Sequence, residues 1–491
     1  MPRNPSDVEY TRSELIKILP IYAIIEDALS GEEIIKGKTT KYLPMPASCK
    51  SVNDARYVAY ITRAVYYNMI LPTLEALVGQ IFLRPPSVKL PALLAPMEKN
   101  INGEGLELTQ LVRKAANHVL PYGRGGFLTD FPTVDRPLTV GEVESGDYSP
   151  FITFYEPWAI NNWLVQKVGN KKKLVSLVLT ENYEERDGET FAVTIKKAHR
   201  VYNLIDNVCT VQLYKEKTAV SERMTLKDNN GIPFTEIPFQ FIGSENNDPE
   251  IDYPPFYNLA TLNIAHYRNS ADYEESVFLV GQPTPVYSGL SEDWVETYFK
   301  DGVPFGSRAS VPLPEGANAE LLQAQPNSMA FEAMTHKEDQ MRAVGAKILN
   351  SKNTVERKQS EIEIEASSQK SVLTTIKDNL QNALVSSLKT ACLFTGANPD
   401  EIEVVLNDNF DLTSMTAEEL RYLTELYVGN GISFGEFRDN LRRSGIAKLP
   451  DDQAITAIKA DQAMKKLFTP EPDATTKPTV GKQSNSKKVT K

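Results

Sequence analysis

The chain has 491 residues, with 53 Lys or Arg against 64 Asp or Glu, for a formal net charge of −11. With 41% hydrophobic and 24% charged residues it can build a packed core, so collagen-like and wholly disordered classes are excluded. The acidic balance argues against a protein that grips nucleic acid through many phosphate contacts. It is compatible with DNA that must pass by without sticking.

Cys49, Cys209 and Cys392 are odd in number and far apart, and no CxxC occurs. A disulfide framework or cysteine zinc site is therefore not expected, and a reducing compartment fits. The opening MPRNPSDVEYTRSEL lacks the apolar stretch of a signal peptide. The longest uncharged run, Ser276 to Ser291, holds two prolines and two glycines and is too short to span a bilayer. The expectation is a soluble, intracellular protein with no membrane partner.

Tyr10 to Leu29 reads as a short helix on each side of Pro20. Asn53 to Leu83 reads as one amphipathic helix, since Tyr57, Tyr60, Ile61, Ala64, Tyr67, Leu71, Leu74, Val78 and Ile81 recur at spacings of three and four. Pro72 should kink it, and Arg84-Pro85-Pro86 should end it. Leu106 to Leu120 is a second amphipathic helix. It stops at Pro121-Tyr122-Gly123-Arg124-Gly125-Gly126, a turn into a strand over Phe127 to Asp130.

From residue 150 to 243 the character changes. Ile152 to Tyr155, Leu174 to Leu179, Phe191 to Ile195, Arg200 to Leu204 and Val208 to Tyr214 are short β-rich runs. Asn170, Asp187-Gly188 and Asp206-Asn207 punctuate them, which predicts an antiparallel meander of hairpins. Ile232-Pro233-Phe234 and Ile237-Pro238-Phe239 suit sheet edges.

Phe256 to Val280 predicts a helix of about 37 Å at 1.5 Å per residue. Residues 281–328 are broken by prolines and glycines and read as a small β-rich insertion. Phe331 to Leu349 is helical again, and Asn350-Ser351-Lys352-Asn353-Thr354 is a polar break. Val355 to Thr395 lacks Pro and Gly for 41 residues, a helix of ~60 Å if unbroken. Leu373, Ile376, Leu380, Ala383, Ser387, Leu388 and Ala391 form a narrow stripe on it. Gly396 to Pro399 ends it, and Ile402 to Leu406 is a strand candidate. Three short helices follow near Thr416–Val428, Ser433–Ser444 and Asp451–Phe468, the first with a capping box at Thr416. Residues 469–491 carry five lysines against one Glu and one Asp and read as a flexible basic tail.

Catalytic signatures give no support to an enzyme. Gly31 to Thr39 looks like a phosphate loop, but five residues separate its glycines where four are needed, and a helix precedes it where a strand is needed. The Gly123–Gly126 cluster passes from helix to strand, the reverse of a phosphate cradle, and reads as a turn needing positive φ. His118, His199, His266 and His336 form no metal-ligand spacing and read as structural. There is no GxSxG elbow. Asp408 and Asp411 could be a carboxylate pair or a solvated strand end.

What remains is an order of parts. A mixed α/β region leads through a helix, a Pro/Gly-rich insertion, a second helix, a polar break and a very long helix to a helical C-terminal region. This order resembles the portal proteins of tailed bacteriophages. Local stretches carry the resemblance too. Arg63 to Phe82 with Arg84-Pro85-Pro86 looks like the early wing helix of one portal subfamily, and Val119 to Pro132 like its helix-to-strand turn. Ile237-Pro-Phe, Asn258 to Asn263 and Asp272 to Gly281 look like the approach to a first stem helix. Lys337 to Met341 with Gly345, and the helix after Asn353-Thr354, are similar to a second stem and channel helix. Thr354-Val355-Glu356-Arg357 departs from the pattern, being more charged than the small-residue stretch of the family.

The resemblance implies an α+β portal fold. It would comprise an N-terminal arm and wing over 1–250, a stem helix over 251–280, a clip over 281–330 and a second stem helix over 331–349. A tunnel loop over 350–354, a long channel helix over 355–395, a wing return and crown over 396–468 and the tail over 469–491 would complete it. It also implies a homo-oligomeric ring, twelve-fold in the family, at a capsid vertex of the virion. Double-stranded DNA would pass through it during packaging and ejection. Terminase, a major capsid or scaffolding protein and a head-completion protein would dock on it after assembly in the host cytoplasm. No cofactor is implied. Candidate channel residues are Lys352, Asn353, Arg357, Lys358, Asp272, Glu274 and Glu275. Candidate clip or partner residues are Glu292, Asp293, Lys300 and Arg308. Acidic runs in 281–328 and 400–427 suit a conduit for DNA and equally suit simple solubility. The alternatives are a head or tail protein without a channel, which would not need two helices bracketing an insertion, and a terminase-type ATPase, which would need a true phosphate loop.

Overall fold

The computed structural model describes residues 7–132, 141, 148–186, 188, 190–281, 284–300, 302, 312–322, 328–349, 371–407, 417–443, 446–447 and 451–468. The fold is mixed α+β and separates into two compact units, residues 1–408 and 409–491.

The first unit begins with helices α1 (Ser13–Ser30), α2 (Glu32–Gly37), α3 (Ala55–Arg63) and α4 (Ile70–Ile81), a short strand β1 (Ser87–Lys89) and helix α5 (Leu108–Tyr122). Strands β2 (Arg124–Asp130), β3 (Phe151–Tyr155), β4 (Ile160–Val168), β5 (Lys171–Arg186), β6 (Val193–Ile205), β7 (Val208–Lys215), β8 (Thr218–Ala219), β9 (Met224–Thr225) and β10 (Phe239–Gly243) follow. Then come helix α6 (Tyr257–Gly281), strand β11 (Thr284–Ser288), helix α7 (Glu292–Tyr298), strand β12 (Asn318–Leu322), helices α8 (Met329–Leu349) and α9 (Val372–Thr395), and strand β13 (Glu403–Val405).

The core lies where α9 and α5 pack on a three-stranded antiparallel sheet of order β10-β2-β3. Every residue of β2 is buried. Gly123 caps α5 in the left-handed region at φ 72, as the turn reading requires. Gly125 and Gly126 do something else. They belong to the strand, and a Cβ would lie 2.6 Å from the Phe154 ring at Gly125 and 2.1 Å from the Phe239 ring at Gly126. Two aromatic rings therefore sit directly on the backbone. The stripe foreseen on α9 is buried throughout, and Gly396 ends that helix at φ 75.

The meander β4-β5-β6-β7-β8 forms a second sheet, with β9 paired to β7. Asp206 and Asn207, at φ 50 and 61, make the tight turn between β6 and β7. Residues of the expected runs Phe191–Ile195 and Arg200–Leu204 share one strand, β6, whose first part, through Lys196 and Lys197, reaches past β7 and carries charge where the core part from Ala198 is covered. Ile152–Tyr155 belongs to the core sheet instead. The N-terminal segment covers the outer edge of β4. Arg12 donates its amide to Asn161 O at 3.1 Å, Asn161 Nδ2 donates to Tyr10 O at 3.1 Å, and Arg12 Nη1 donates to Trp163 O at 2.5 Å.

Three helix expectations are corrected. First, α1 runs unbroken through Pro20, since buried Leu15 precedes the proline and buried Tyr22, Ile25 and Ala28 follow it. Second, the break in Asn53–Leu83 lies at residues 64–69, not at Pro72. Pro72 sits in the first turn of α4, where an amide has no intrahelical partner to lose. Third, the 41-residue helix does not run through Ser371, which is extended and caps α9 by accepting from Thr374 N at 3.1 Å. Residues 350–370 lie outside the described residues.

The second unit holds helices α10 (Ala417–Val428), α11 (Phe434–Arg443) and α12 (Asp451–Phe468). Ser433 and Glu436 form a reciprocal capping box at α11, with bonds of 3.2 and 2.8 Å. The box foreseen at Thr416, the carboxylates Asp408 and Asp411, and the tail lie outside the described residues.

Candidate functional site

Helices α6 and α8 pack along each other, joined by a small module of strands β11 and β12 with α7 between them. The first half of α6 owes its hold to polar residues placed on an otherwise apolar face. Leu259, Ala260, Ile264, Tyr267 and Ala271 are buried there, and so are Asn263, His266 and Ser270. The spacings of three, four and seven put these three polar side chains on one stripe.

That stripe clasps the extended segment 64–69. Asn263 Oδ1 accepts the amides of Met69 at 2.9 Å and Ile70 at 3.2 Å, and its Nδ2 donates to Tyr67 O at 2.8 Å. Ser270 Oγ donates to Val65 O at 2.7 Å and accepts from Val65 N at 3.1 Å. A chain that leaves a helix must satisfy its amides and carbonyls elsewhere. Here α6 supplies the partners, which is why the break falls at 64–69. Around the clasp Tyr57, Tyr60, Tyr66 and Tyr267 form a tyrosine-rich core, and Tyr57 donates its hydroxyl to Leu43 O.

His266 stands between the clasp and α8. Its Nε2 lies 3.4 Å from Glu338 Oε1, and its ring is 6.1 Å from that of Tyr67. Burial pushes the imidazole below its ordinary value, against the pull of Glu338. Arg342 holds Glu338 at 3.2 Å and Asp339 at 3.0 Å. Gly345 brings α8 close to α4, since a Cβ there would lie 3.2 Å from Thr73 Cγ2.

Further along α6, two of the candidate channel carboxylates are engaged within the chain. Tyr60 donates to Asp272 Oδ1 at 2.6 Å. Arg63 pairs with Glu275, and Arg56 lies 3.9 Å from the same carboxylate. The Arg63 guanidinium also stacks 4.2 Å over Phe278. Glu274 is half-buried. Beyond this point Val277, Phe278 and Leu279 are exposed, as are Val286, Val295 and Leu321 of the small module and Met329 and Phe331 at the start of α8. Glu292 and Asp293 occupy the first turn of α7 behind the Ser291 cap, where acidic side chains favour the helix terminus on their own account. Lys300 is exposed past its end. Arg308, Lys352, Asn353, Arg357 and Lys358 lie outside the described residues.

Two other places have residues that could carry chemistry, and in both they are engaged within the chain. Gly31–Thr39 follows α1 rather than a strand, and Lys38 and Lys41 both turn to Asp27, at 3.4 and 2.7 Å. A cavity of about 460 Å³ opens beside β7 and the ends of β2 and α9, with Asp130 and Arg200 in its wall. Arg200 joins Asp130 at 2.8 Å and Glu181 at 2.9 Å, and burial pushes the Asp130 carboxyl up. This is a saturated structural network. Among the described residues no group of three His, Cys, Asp or Glu side chains could hold a metal, and no helix is long and apolar enough to cross a membrane.

A family model described as a domain of unknown function (DUF4055) matches residues 255–395, the stretch from the start of α6 to the end of α9. No curated protein matches the chain. Among solved structures, a chain from the neck of an empty GTA particle computed with C6 symmetry is similar, at TM-score 0.40 and 12% identity, over 86% of this chain and 100% of that one.

Proposed function

We propose that the chain is the portal subunit of a tailed bacteriophage or a related particle. It forms a ring at one capsid vertex, and DNA passes through the ring during packaging and ejection. The observation that supports this most is the α6–α8 pair with its small β module between. One half of the pair is locked to the body by Asn263, Ser270, Asp272 and Glu275, and the other half carries exposed apolar side chains. Exposed apolar side chains gathered in this way favour a partner surface. The order of parts matches the resemblance to portal proteins.

In this reading the acidic runs in 281–328 and 400–427 keep the bore from binding phosphates, and Lys352, Arg357 and Lys358 offer a few contacts that hold packaged DNA. Terminase and a head-completion protein dock on exposed surfaces such as that of Glu292, Asp293 and Lys300. The subunit itself hydrolyses nothing and carries no cofactor. Because Asp272 and Glu275 already hold α3, they act in positioning α6 rather than in touching DNA.

Electron micrographs of the purified chain, viewed end-on, test the reading. Rings with a central hole wide enough for duplex DNA are expected. A strictly monomeric protein at micromolar concentration, under conditions that promote assembly, would overturn it.

A further inference from the structure

The β5–β6 hairpin outruns its neighbours. β4 pairs with β5 only as far as Leu179, and β7 pairs with β6 only from Ala198. Beyond them, Asn182 to Arg186 and Val193 to Lys197 pair with each other as five residue pairs, and at the base Lys197 O accepts from Glu216 N at 2.9 Å. That makes a two-stranded ribbon about 17 Å long. A lone ribbon of this kind is marginally stable in water.

Its surface is not that of a solvated arm. Residues directly opposite across the two strands share a face, so Val193 and Ile195 stand with Arg186 and Glu184. Phe191 joins them, with the Arg186 guanidinium 5.0 Å over its ring. Phe191 is 93% exposed, Ile195 68% and Val193 51%. A ribbon blunted against pairing would carry charges along this row instead. Of the three charges on this face, Arg186 of β5 is the one over the Phe191 ring, and the other two differ by strand. Glu184 stands on β5 and Lys197 on β6, both exposed. On the opposite face Glu185 and Lys196 pair with each other within the ribbon.

We propose that this ribbon is a head-to-tail contact between copies of the chain. The β5 edge of one copy, with Glu184, meets the β6 edge of the next, with Lys197, and the row Phe191–Val193–Ile195 is covered by the neighbour. The two edges differ in charge, so the contact joins unlike surfaces. Such a contact propagates in one direction and closes into a ring when the rotation allows. Only that last step, closure, rests on the portal reading.

Sedimentation of the full chain across a concentration series tests it. Glu184→Lys and Lys197→Glu, each alone, should raise the concentration for half-assembly by about tenfold or more, as removal of a central contact does. The double variant should recover most of the loss, because each reversed charge again meets its opposite. Phe191→Ser with Val193→Thr and Ile195→Thr should weaken assembly at least as much, with an unchanged thermal melt. If all variants assemble like the parent, the ribbon contact is wrong while the ring survives. If the variants behave as expected but micrographs show open chains, the ribbon stands and the ring falls. If charge reversal weakens assembly and the double variant does not recover, the Glu184–Lys197 pairing is wrong. A monomeric parent overturns both.

Discussion

The two halves of helix Tyr257–Gly281 live in different surroundings. From Leu259 to Ala271 the inward stripe is sealed, and each buried polar side chain on it faces a named group of the same chain. Six to eight residues past Ala271, Val277, Phe278 and Leu279 are 49%, 40% and 51% exposed. The first half is completed by folding. The second half presents apolar surface that folding leaves uncovered, which suits completion by assembly. A helix can thus serve as an anchor and as a docking rib, with the change of role set by where its polar residues find partners.

The largest expected effect comes from breaking the anchor. Asn263→Ala removes one donor and one acceptor that together satisfy Tyr67 O, Met69 N and Ile70 N. Leaving buried polar groups unpaired costs about 1–3 kcal/mol each, less any that relax to water, so a loss of about 3 kcal/mol is expected from urea unfolding. A loss under about 1 kcal/mol would show that 64–69 does not depend on α6.

A smaller effect should follow pH. The folded-state value of His266 lies below its unfolded one, and burial is the leading cause. Above about pH 6.5 neither state holds the proton and nothing is lost. As pH falls below that, the unfolded chain takes up the proton more readily and stability drops. The charged groups that face the ring are Glu338 and Lys337, with Arg342 holding Glu338. His266→Gln should therefore lose less stability between pH 7 and 5 than the parent does. An identical slope in urea midpoints would remove His266 from the account.

The smallest effect on the isolated subunit belongs to the exposed half. Leu279→Ser should change its unfolding free energy by about 0.5 kcal/mol or less, as surface substitutions do. The same change should weaken assembly. A large loss of subunit stability would mean that this surface is already packed within the chain.

Much of this was legible in the sequence because periodicity records burial. The stripe from Leu373 to Ala391, the Gly123 and Gly396 caps and the helix over Phe256–Val280 all followed from spacing and turn chemistry. The break at 64–69 did not. Its cause is Asn263 and Ser270, some two hundred residues away, and Tyr57 to Ile81 keeps an apolar period straight across it. The polar stripe on α6 did leave a trace, since Asn263, His266 and Ser270 recur at helical spacing among apolar residues. That trace reads as a clasp only once 64–69 lies beside it. The continuity of β6 was hidden because Lys196 and Lys197 interrupt its apolar residues just where β7 stops covering it.

Hydrogen exchange on the assembled and the dissociated protein tests the division of α6 most directly. On assembly, amides around Val277–Leu279, β11, β12 and Met329–Phe331 should gain protection, while those of Leu259–Ala271 and 64–69 should exchange equally slowly in both states. Unchanged exchange over the exposed half, or new protection confined to the anchored half, would contradict the account.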